Sequence, residues 1–306
     1  MNLAACVCVP ARNEAQHIGQ LIEALAQQTV QNFAAAICIN NSSDATRATA
    51  MSAMRKINAR FHLHVFECEF EPGLAHAGSA RRAAMDLGAE LLSADGILIS
   101  TDADCRPPEI WVEANLQHCA TDHIVGGRIE LDELEADAMP AIFSIRSRFD
   151  AYWAAVRAIE DAIDPVEWDM PPRHGDHTGA SLALSVDLYR RAGGVPLIST
   201  GEDHALVDAA IAAGGRLVHP NVVWTRASAR TAGRAEAGMA ADMQRWIDYA
   251  NSGNVPIVPA FVHWEARARW RRRARKVLGT TALREAERSL VPMPCDMLLP
   301  EAGATA

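Results

Sequence analysis

The 306-residue chain contains no C-x-x-C pair, and its seven cysteines, at 6, 8, 38, 68, 105, 119 and 295, are odd in number. That spacing excludes a zinc ribbon and argues against a disulfide framework, so the cysteines read as small buried residues in a reducing compartment. No apolar run approaches the roughly 18 residues of a membrane span, and the first residues, MNLAACVCVP, carry no basic leader region. A soluble, cytoplasmic protein is the expectation. Basic charge is scarce, with Lys+Arg 29 against Asp+Glu 38 and a net charge of -9, which argues against a nucleic-acid partner. An anionic ligand has to be met locally. Missing too is a glycine-rich turn after the first apolar run, where VPARNEAQHIG stands instead. Its absence disfavours a pyridine-dinucleotide dehydrogenase and a sugar-phosphate nucleotidyltransferase, both of which need such a turn against phosphate.

What is present is ordinary globular composition, 49% hydrophobic and 22% charged. Short apolar runs alternate with longer helical patterns: LAACVCV then 14–28, AAAICI then 45–59, FHLHVF then 78–92, GILIS then 108–119. This rhythm predicts an α/β fold, a mostly parallel sheet covered by helices on both faces. The second half is less regular, with a strand in HIVGGRIEL, a long helix over 139–161, a polar proline-broken loop over 164–178, and a short helix stopped by Gly193 and Gly194. Residues 261–278, FVHWEARARWRRRARKVL, read as a basic helix with Ala266, Trp270, Ala274 and Val277 as its apolar stripe. Such a helix docks on the body by that stripe, or makes peripheral contact with an anionic membrane face.

In open α/β sheets ligands bind beyond the carboxyl ends of the strands, so the residues after each run are the ones to read. ISTDADCRPP places Asp102 and Asp104 after the fourth run. In extended backbone the two project the same way, with Ala103 turned back toward the protein. A divalent cation, Mg or Mn, answers their mutual repulsion, because such ions take oxygen ligands and share them with a substrate's phosphates. The structural alternative is a helix opened at Pro107 behind acidic capping residues. After the first run, Asn13 and Glu14 stand where a helix begins, with its free N–H groups available to a ligand, or simply as cap and acidic first turn.

Taken together and in order, VCVPARNEA, ICINNSSDAT, AGSARRAA, ISTDADCRPPEIW, TGASLALSVDLYRRAGGVP and GEDHAL resemble the family 2 glycosyltransferases of GT-A fold. The likeness covers roughly residues 3–225. It implies one GT-A domain, with a nucleotide-sugar half at 1–105, an acceptor and catalytic half at 106–260, and a helical extension at 261–306. It implies Pro10, Ala11, Arg12 and Glu14 along the nucleoside pocket, Asn41 where a family Asp recognises the base, and Arg81, Asp102 and Ala103 near the nucleotide. Asp102 and Asp104 are then the ligands of a metal on the donor diphosphate, and His219 is a further candidate ligand. In GEDHAL, Asp203 is implied as general base, with Glu202 orienting the acceptor or the loop. Thr200 and Asp203 also have the spacing of a capping box. Gly179, Ala180 and Ser181 match a stretch that runs past the acceptor, where a bare backbone permits close approach. Arg226, Arg230 and Arg234 follow at four-residue spacing, suited to a diphosphate or an anionic acceptor, or to solvent. The implied partners are a nucleotide-diphosphate sugar and a small or lipid-linked acceptor, and a non-catalytic nucleotide-sugar-binding protein is the alternative.

Overall fold

The computed structural model describes residues 3–57, 60–132, 140–231 and 238–301. In chain order the first elements are β1 (Ala5–Ala11), α1 (Ile18–Ala26), β2 (Phe33–Asn40), α2 (Thr46–Lys56), β3 (His62–Cys68), α3 (Ala77–Leu91), β4 (Ile97–Ser100), β5 (Cys105–Arg106) and α4 (Trp111–His118). Then come β6 (His123–Gly126), β7 (Arg128–Leu131), α5 (Pro140–Ile163), β8 (Leu182–Ser185), α6 (Val186–Arg191), α7 (Glu202–Ala212), β9 (Arg216–Val218) and β10 (Trp224–Ala227). The last are α8 (Met239–Ser252), β11 (Ile257–Val258), α9 (Phe261–Ala274), α10 (Thr280–Arg288) and β12 (Met297–Leu298). The chain divides into two compact units, Met1–Asp132 with Gly175–Ser228, and Glu133–His174 with Ala229–Ala306.

The first unit is the expected mixed α/β layer structure. Among its described residues seven strands form one sheet in the order β3-β2-β1-β4-β8-β6-β9. β3, β2, β1 and β4 run parallel, and β6 runs parallel to β9. β8 lies reversed between β4 and β6. The short β1 and β2 runs are apolar on both faces because helices cover both, and every β2 residue is buried. The reversed strand has a consequence for the site. Ser100, the last residue of β4, pairs with Leu182, the first of β8, so the residues before β8 arrive at the edge from which β1, β2 and β4 exit. Val125 of β6 pairs with Val218 of β9, which brings the residue after β9, His219, toward the same edge. A second sheet, β5-β10-β7, begins directly after the acidic doublet. Gly193 and Gly194 stop α6 in left-handed backbone, at φ 82° and 77°, and donate to Arg190 and Tyr189 carbonyls.

The second unit packs Tyr152 and Val156 of α5 with Val258 of β11 and Leu299. The Tyr152 hydroxyl donates to the Pro259 carbonyl at 2.8 Å and accepts from Trp264 Nε1 at 2.6 Å. α9 docks on α5 through a different face from the one its apolar residues suggest. Ala266 is exposed and Val277 is 82% exposed, whereas Phe261, Trp264, Ala268, Arg271 and Arg275 turn inward. The reason is electrostatic. Arg271 bridges Glu160 of α5 and Glu287 of α10 at 3.0 and 3.1 Å, and Arg275 holds Asp164 at 2.8 Å. Arginine stems pack against the helix while the guanidinium finds a carboxylate, so a cationic position serves as a docking position. No helix among the described residues is long and apolar enough to cross a membrane.

Candidate active site

All the residues described here except Arg230 belong to the first unit. The loop after β1 departs from the expected helix start. α1 begins at Ile18, and the N–H groups of Asn13, Glu14 and Ala15 are taken by Ser42 Oγ, Thr46 Oγ1 and Asp44 Oδ2, at 3.0, 2.8 and 3.0 Å. These amides close the β1 loop onto the β2 loop instead of opening toward a phosphate. Asn13 at φ 53° and Asn41 at φ 45° adopt the left-handed backbone that asparagine tolerates. Asn41 directs both ends of its amide to one residue, donating from Nδ2 to the Phe70 carbonyl at 3.0 Å and accepting at Oδ1 from the Phe70 N–H at 3.1 Å. Arg12 reaches the Ala75 carbonyl at 2.9 Å, Pro10 is half-buried, and Ala11 and Glu14 are buried.

The acidic doublet stands in a turn, not in extended chain. The Cys105 N–H donates to the Asp102 carbonyl at 3.1 Å, closing four residues on themselves, and Ala103 is buried as expected. The turn, not strand alternation, brings the two carboxylates together. α4 begins at Trp111 with Ile110 at its cap, so the doublet does not open that helix. Among the described residues, Asp102, Asp104 and Cys105 place one ligand atom each within 4.8 Å of one another. Burial, then the charges of Asp104 and Asp102, push the Cys105 thiol well above its ordinary range, and the two carboxylates offer oxygen donors. That donor set suits a hard dication. His219 is outside this group. It is buried, with its ring 5.7 Å from that of His177, which lies 5.0 Å from His204. The three histidines thus cluster around the His177 ring, with His204 next to Asp203 in the chain.

Arg81 is the centre of the arrangement. Only 4% exposed, it donates from Nε to Glu202 Oε1 at 3.1 Å, from Nη1 to Ser100 Oγ and the Gly179 carbonyl at 2.5 and 2.9 Å, and from Nη2 to Asp102 Oδ1 at 2.8 Å. Burial disfavours its charge, and Asp102, Glu202 and Asp203 more than offset this, so the guanidinium is held cationic. Ser100 and Thr101 complete the junction by donating to the Gly179 and Ala180 carbonyls, each at 2.9 Å. A Cβ on Gly179 would lie 2.4 Å from Arg81 Cζ, which explains the glycine. Ala180 and Ser181 are buried, and Ser181 Oγ accepts from Trp111 Nε1 at 3.0 Å.

Asp203 is not a helix cap. α7 opens on Gly201 in left-handed backbone with no side-chain cap, and Asp203 accepts from the Gly179 N–H and the His204 N–H, both at 2.7 Å. Burial opposes its ionisation. The Arg81 charge and the two N–H groups overcome this and hold its carboxyl below the ordinary range. Arg230 is half-buried beyond β10 and belongs to the second unit, and Arg234 is outside the described residues. The sequence reading passed over Ser100, Thr101 and Asn40. Asn40 ends β2 with Nδ2 buried and without a hydrogen-bond partner among the described residues, as is Ser79 Oγ in the first turn of α3. Position at a strand end was the only available signal for the first three.

The comparisons with known proteins fit this arrangement. Residues 6–147 match the family model described as Glycosyl transferase family 2. That segment, which runs from β1 into α5 and contains the acidic doublet, is where the likeness to family 2 glycosyltransferases lies. No curated protein matches the sequence. The structure of S. aureus TarS 1–349 in complex with UDP is similar at TM-score 0.50 and 16% identity, over 92% of this chain and 73% of that chain. A second S. aureus TarS structure gives 0.49 and 17% over 81% of this chain, which spans 42% of that chain's length. The mannosyltransferase PcManGT from Pyrobaculum calidifontis, in complex with GDP-Man and Mn2+, gives 0.49 and 15%, over 94% and 79%. The fold is GT-A.

Proposed function

We propose that the protein transfers a sugar from a nucleotide-diphosphate sugar to an acceptor hydroxyl, with inversion at the anomeric carbon. The observation that carries this reading is the Arg81 guanidinium, which ties the doublet residue Asp102 to Glu202 and to the carbonyl of Gly179, the residue whose N–H Asp203 holds. Asp102 and Asp104 are the residues that would hold Mg or Mn, with His219 a further candidate as a second-half ligand. Such an ion, when bound, supplies positive charge to a departing nucleotide diphosphate.

The protein's own groups do the rest. The β1 and β2 loops, with Pro10, Ala11, Arg12 and Glu14, form the nucleoside side, and Asn41 shapes it by fixing Phe70. Asp203 takes the acceptor hydroxyl's proton. Each of its oxygens uses one lone pair on a backbone N–H and keeps another for that proton. Glu202 is a positioning residue, acting on the acceptor side through Arg81. Gly179, Ala180 and Ser181 line the acceptor path. A single carboxylate base on the acceptor, opposite the leaving group, gives one displacement and hence inversion.

The acceptor is a small molecule or a lipid-linked one. Arg272 and Arg273, exposed on α9, and Lys276, exposed in the turn after it, are the residues through which peripheral contact with an anionic membrane face would run, and co-sedimentation with phosphatidylglycerol vesicles tests it. A thermal-shift screen of nucleoside diphosphates with and without Mn tests the transfer reading. A metal-dependent rise in melting temperature for one of them is expected, and no rise for any contradicts it.

A further inference from the structure

The small sheet β5-β10-β7 has one apolar and one cationic face. Cys105, Ile129 and Ala227 turn inward and pack with Ala180. Strand alternation then puts the intervening residues on the other face, and the register sets them side by side: Trp224 opposite Arg128, Arg226 opposite Glu130 on one side and Arg106 on the other. The Arg226 guanidinium stacks 4.5 Å from the Trp224 ring and that of Arg128 lies 5.9 Å from it. Glu130 pairs with Arg128 at 2.5 Å, and Asp132 pairs with Arg106.

The charges on this face do not balance. Among the described residues three guanidinium groups meet two carboxylates on this face, and Arg226 has no carboxylate partner. Like charges placed directly across strands are unfavourable, so the pairing of Arg226 with Arg106 costs stability that nothing in the sheet requires. The Arg106 Nε is buried and has no hydrogen-bond partner among the described residues. Trp224 meanwhile fixes the plane of the Arg226 fork, the preparation that two-point recognition of an oxyanion needs.

We infer that this face is a subsite for a soluble acceptor that carries a phosphate or carboxylate group, recognised by Arg226 with Arg106. The inference rests on the transfer reading above and names the class of its acceptor. The position favours acceptor over donor. β5 begins directly after the doublet, and the sheet rests on Ala180 of the Gly179–Ser181 stretch, whose carbonyl and N–H groups contact Ser100, Arg81 and Asp203. An anionic group held here is bound apart from the reacting hydroxyl, so it adds specificity without entering the chemistry.

The test is equilibrium binding of glycerol 3-phosphate, glycerate and glycerol to the full chain, in the native protein and in Arg226→Met and Arg226→Lys. Mn-dependent UDP and GDP binding is measured in parallel. The native protein is expected to bind an anionic probe and not glycerol. Arg226→Met weakens that binding by about tenfold, the loss of one charge-assisted bond. Arg226→Lys retains part of it, and nucleotide binding is unchanged. Equal affinity in the native and Met proteins, with melting temperatures preserved, overturns the subsite. So does absence of binding in the native protein. Arg226-dependent association with phosphatidylglycerol vesicles, without binding of either small anion, overturns the soluble acceptor. If Arg226→Met unfolds, the Lys variant decides by the same comparison. A failure of nucleotide binding in the native protein would instead strike the transfer reading, and the anion result stands apart from it.

Discussion

Arg81 and Glu202 form a 3.1 Å ion pair between two side chains that are each more than nine-tenths buried, 121 residues apart in the chain. The same guanidinium reaches Asp102, which is 39% exposed, so a buried charge pair anchors a carboxylate that faces solvent. Breaking the buried pair from one side leaves an uncompensated charge. Arg81→Met is therefore expected to destabilise the protein by about 3–5 kcal/mol, nearly all of it from Glu202 and not from the screened Asp102. Arg81→Lys keeps the charge and loses the fork, so it recovers part of the stability but not the geometry at Asp102. Denaturant unfolding of both variants checks the order.

Gly179→Ala tests the close approach of backbone to Arg81. The new methyl would stand 2.4 Å from Cζ. An arginine tip usually swings aside, but this one is held by Glu202, Ser100 and Asp102 as well as by Gly179 itself. A loss of about 1–3 kcal/mol is expected, as for overpacking of a filled interior. A fall in transfer larger than any fall in nucleotide binding should accompany it, because the peptide also holds Asp203.

The Asp203 carboxyl gives a pH dependence of definite sign. Burial raises its pKa, and Arg81 with two backbone N–H groups lowers it further, leaving the folded value below the unfolded one. A group of this kind contributes stability that is present above its unfolded pKa, about 3.9, and is lost as pH falls through the folded value. The melting-temperature gap between the native protein and Asp203→Asn should be constant from pH 7 to about 5 and shrink below about pH 4. A gap that widens on acidification contradicts the assignment.

In the second unit, Arg275→Ala leaves Asp164, itself buried, without its cation. A cost of about 2–3 kcal/mol is expected, below that of a fully buried pair because Arg275 retains some water. High salt should reduce it little. Exposed Arg273→Ala should change stability by less than about 0.5 kcal/mol. Chemical denaturation of the two variants separates docking arginines from solvated ones.

The central layer was legible because β1, β2 and β4 are apolar runs punctuated by turn residues, a pattern that survives without knowledge of partners. What the sequence hid were relationships between distant segments. Asn13 and Glu14 look like a helix start, and only the loop at 42–46 shows why their amides are occupied before Ile18 begins the helix. Thr200 and Asp203 have capping-box spacing, but Gly179 captures the carboxylate from 24 residues away. Asp102 and Asp104 were read as neighbours for the wrong reason, since a turn and not an extended strand unites them. LALS is a short apolar run before a helix, and nothing local says that it forms a reversed strand between β4 and β6. The face of α9 was misjudged because hydropathy counts arginine as outward, whereas Glu160 and Asp164 draw Arg271 and Arg275 in.

The division of labour between the doublet and Asp203 is tested most directly by titrating a nucleoside diphosphate into Asp104→Asn and Asp203→Asn with Mn present, and assaying sugar transfer by the same samples. Asp104→Asn should lose the metal-dependent part of nucleotide affinity. Asp203→Asn should bind nucleotide as the native protein does and transfer at least about a hundredfold more slowly, the scale of a lost general base. Unimpaired transfer by Asp203→Asn, or metal-dependent nucleotide binding by Asp104→Asn equal to that of the native protein, contradicts it.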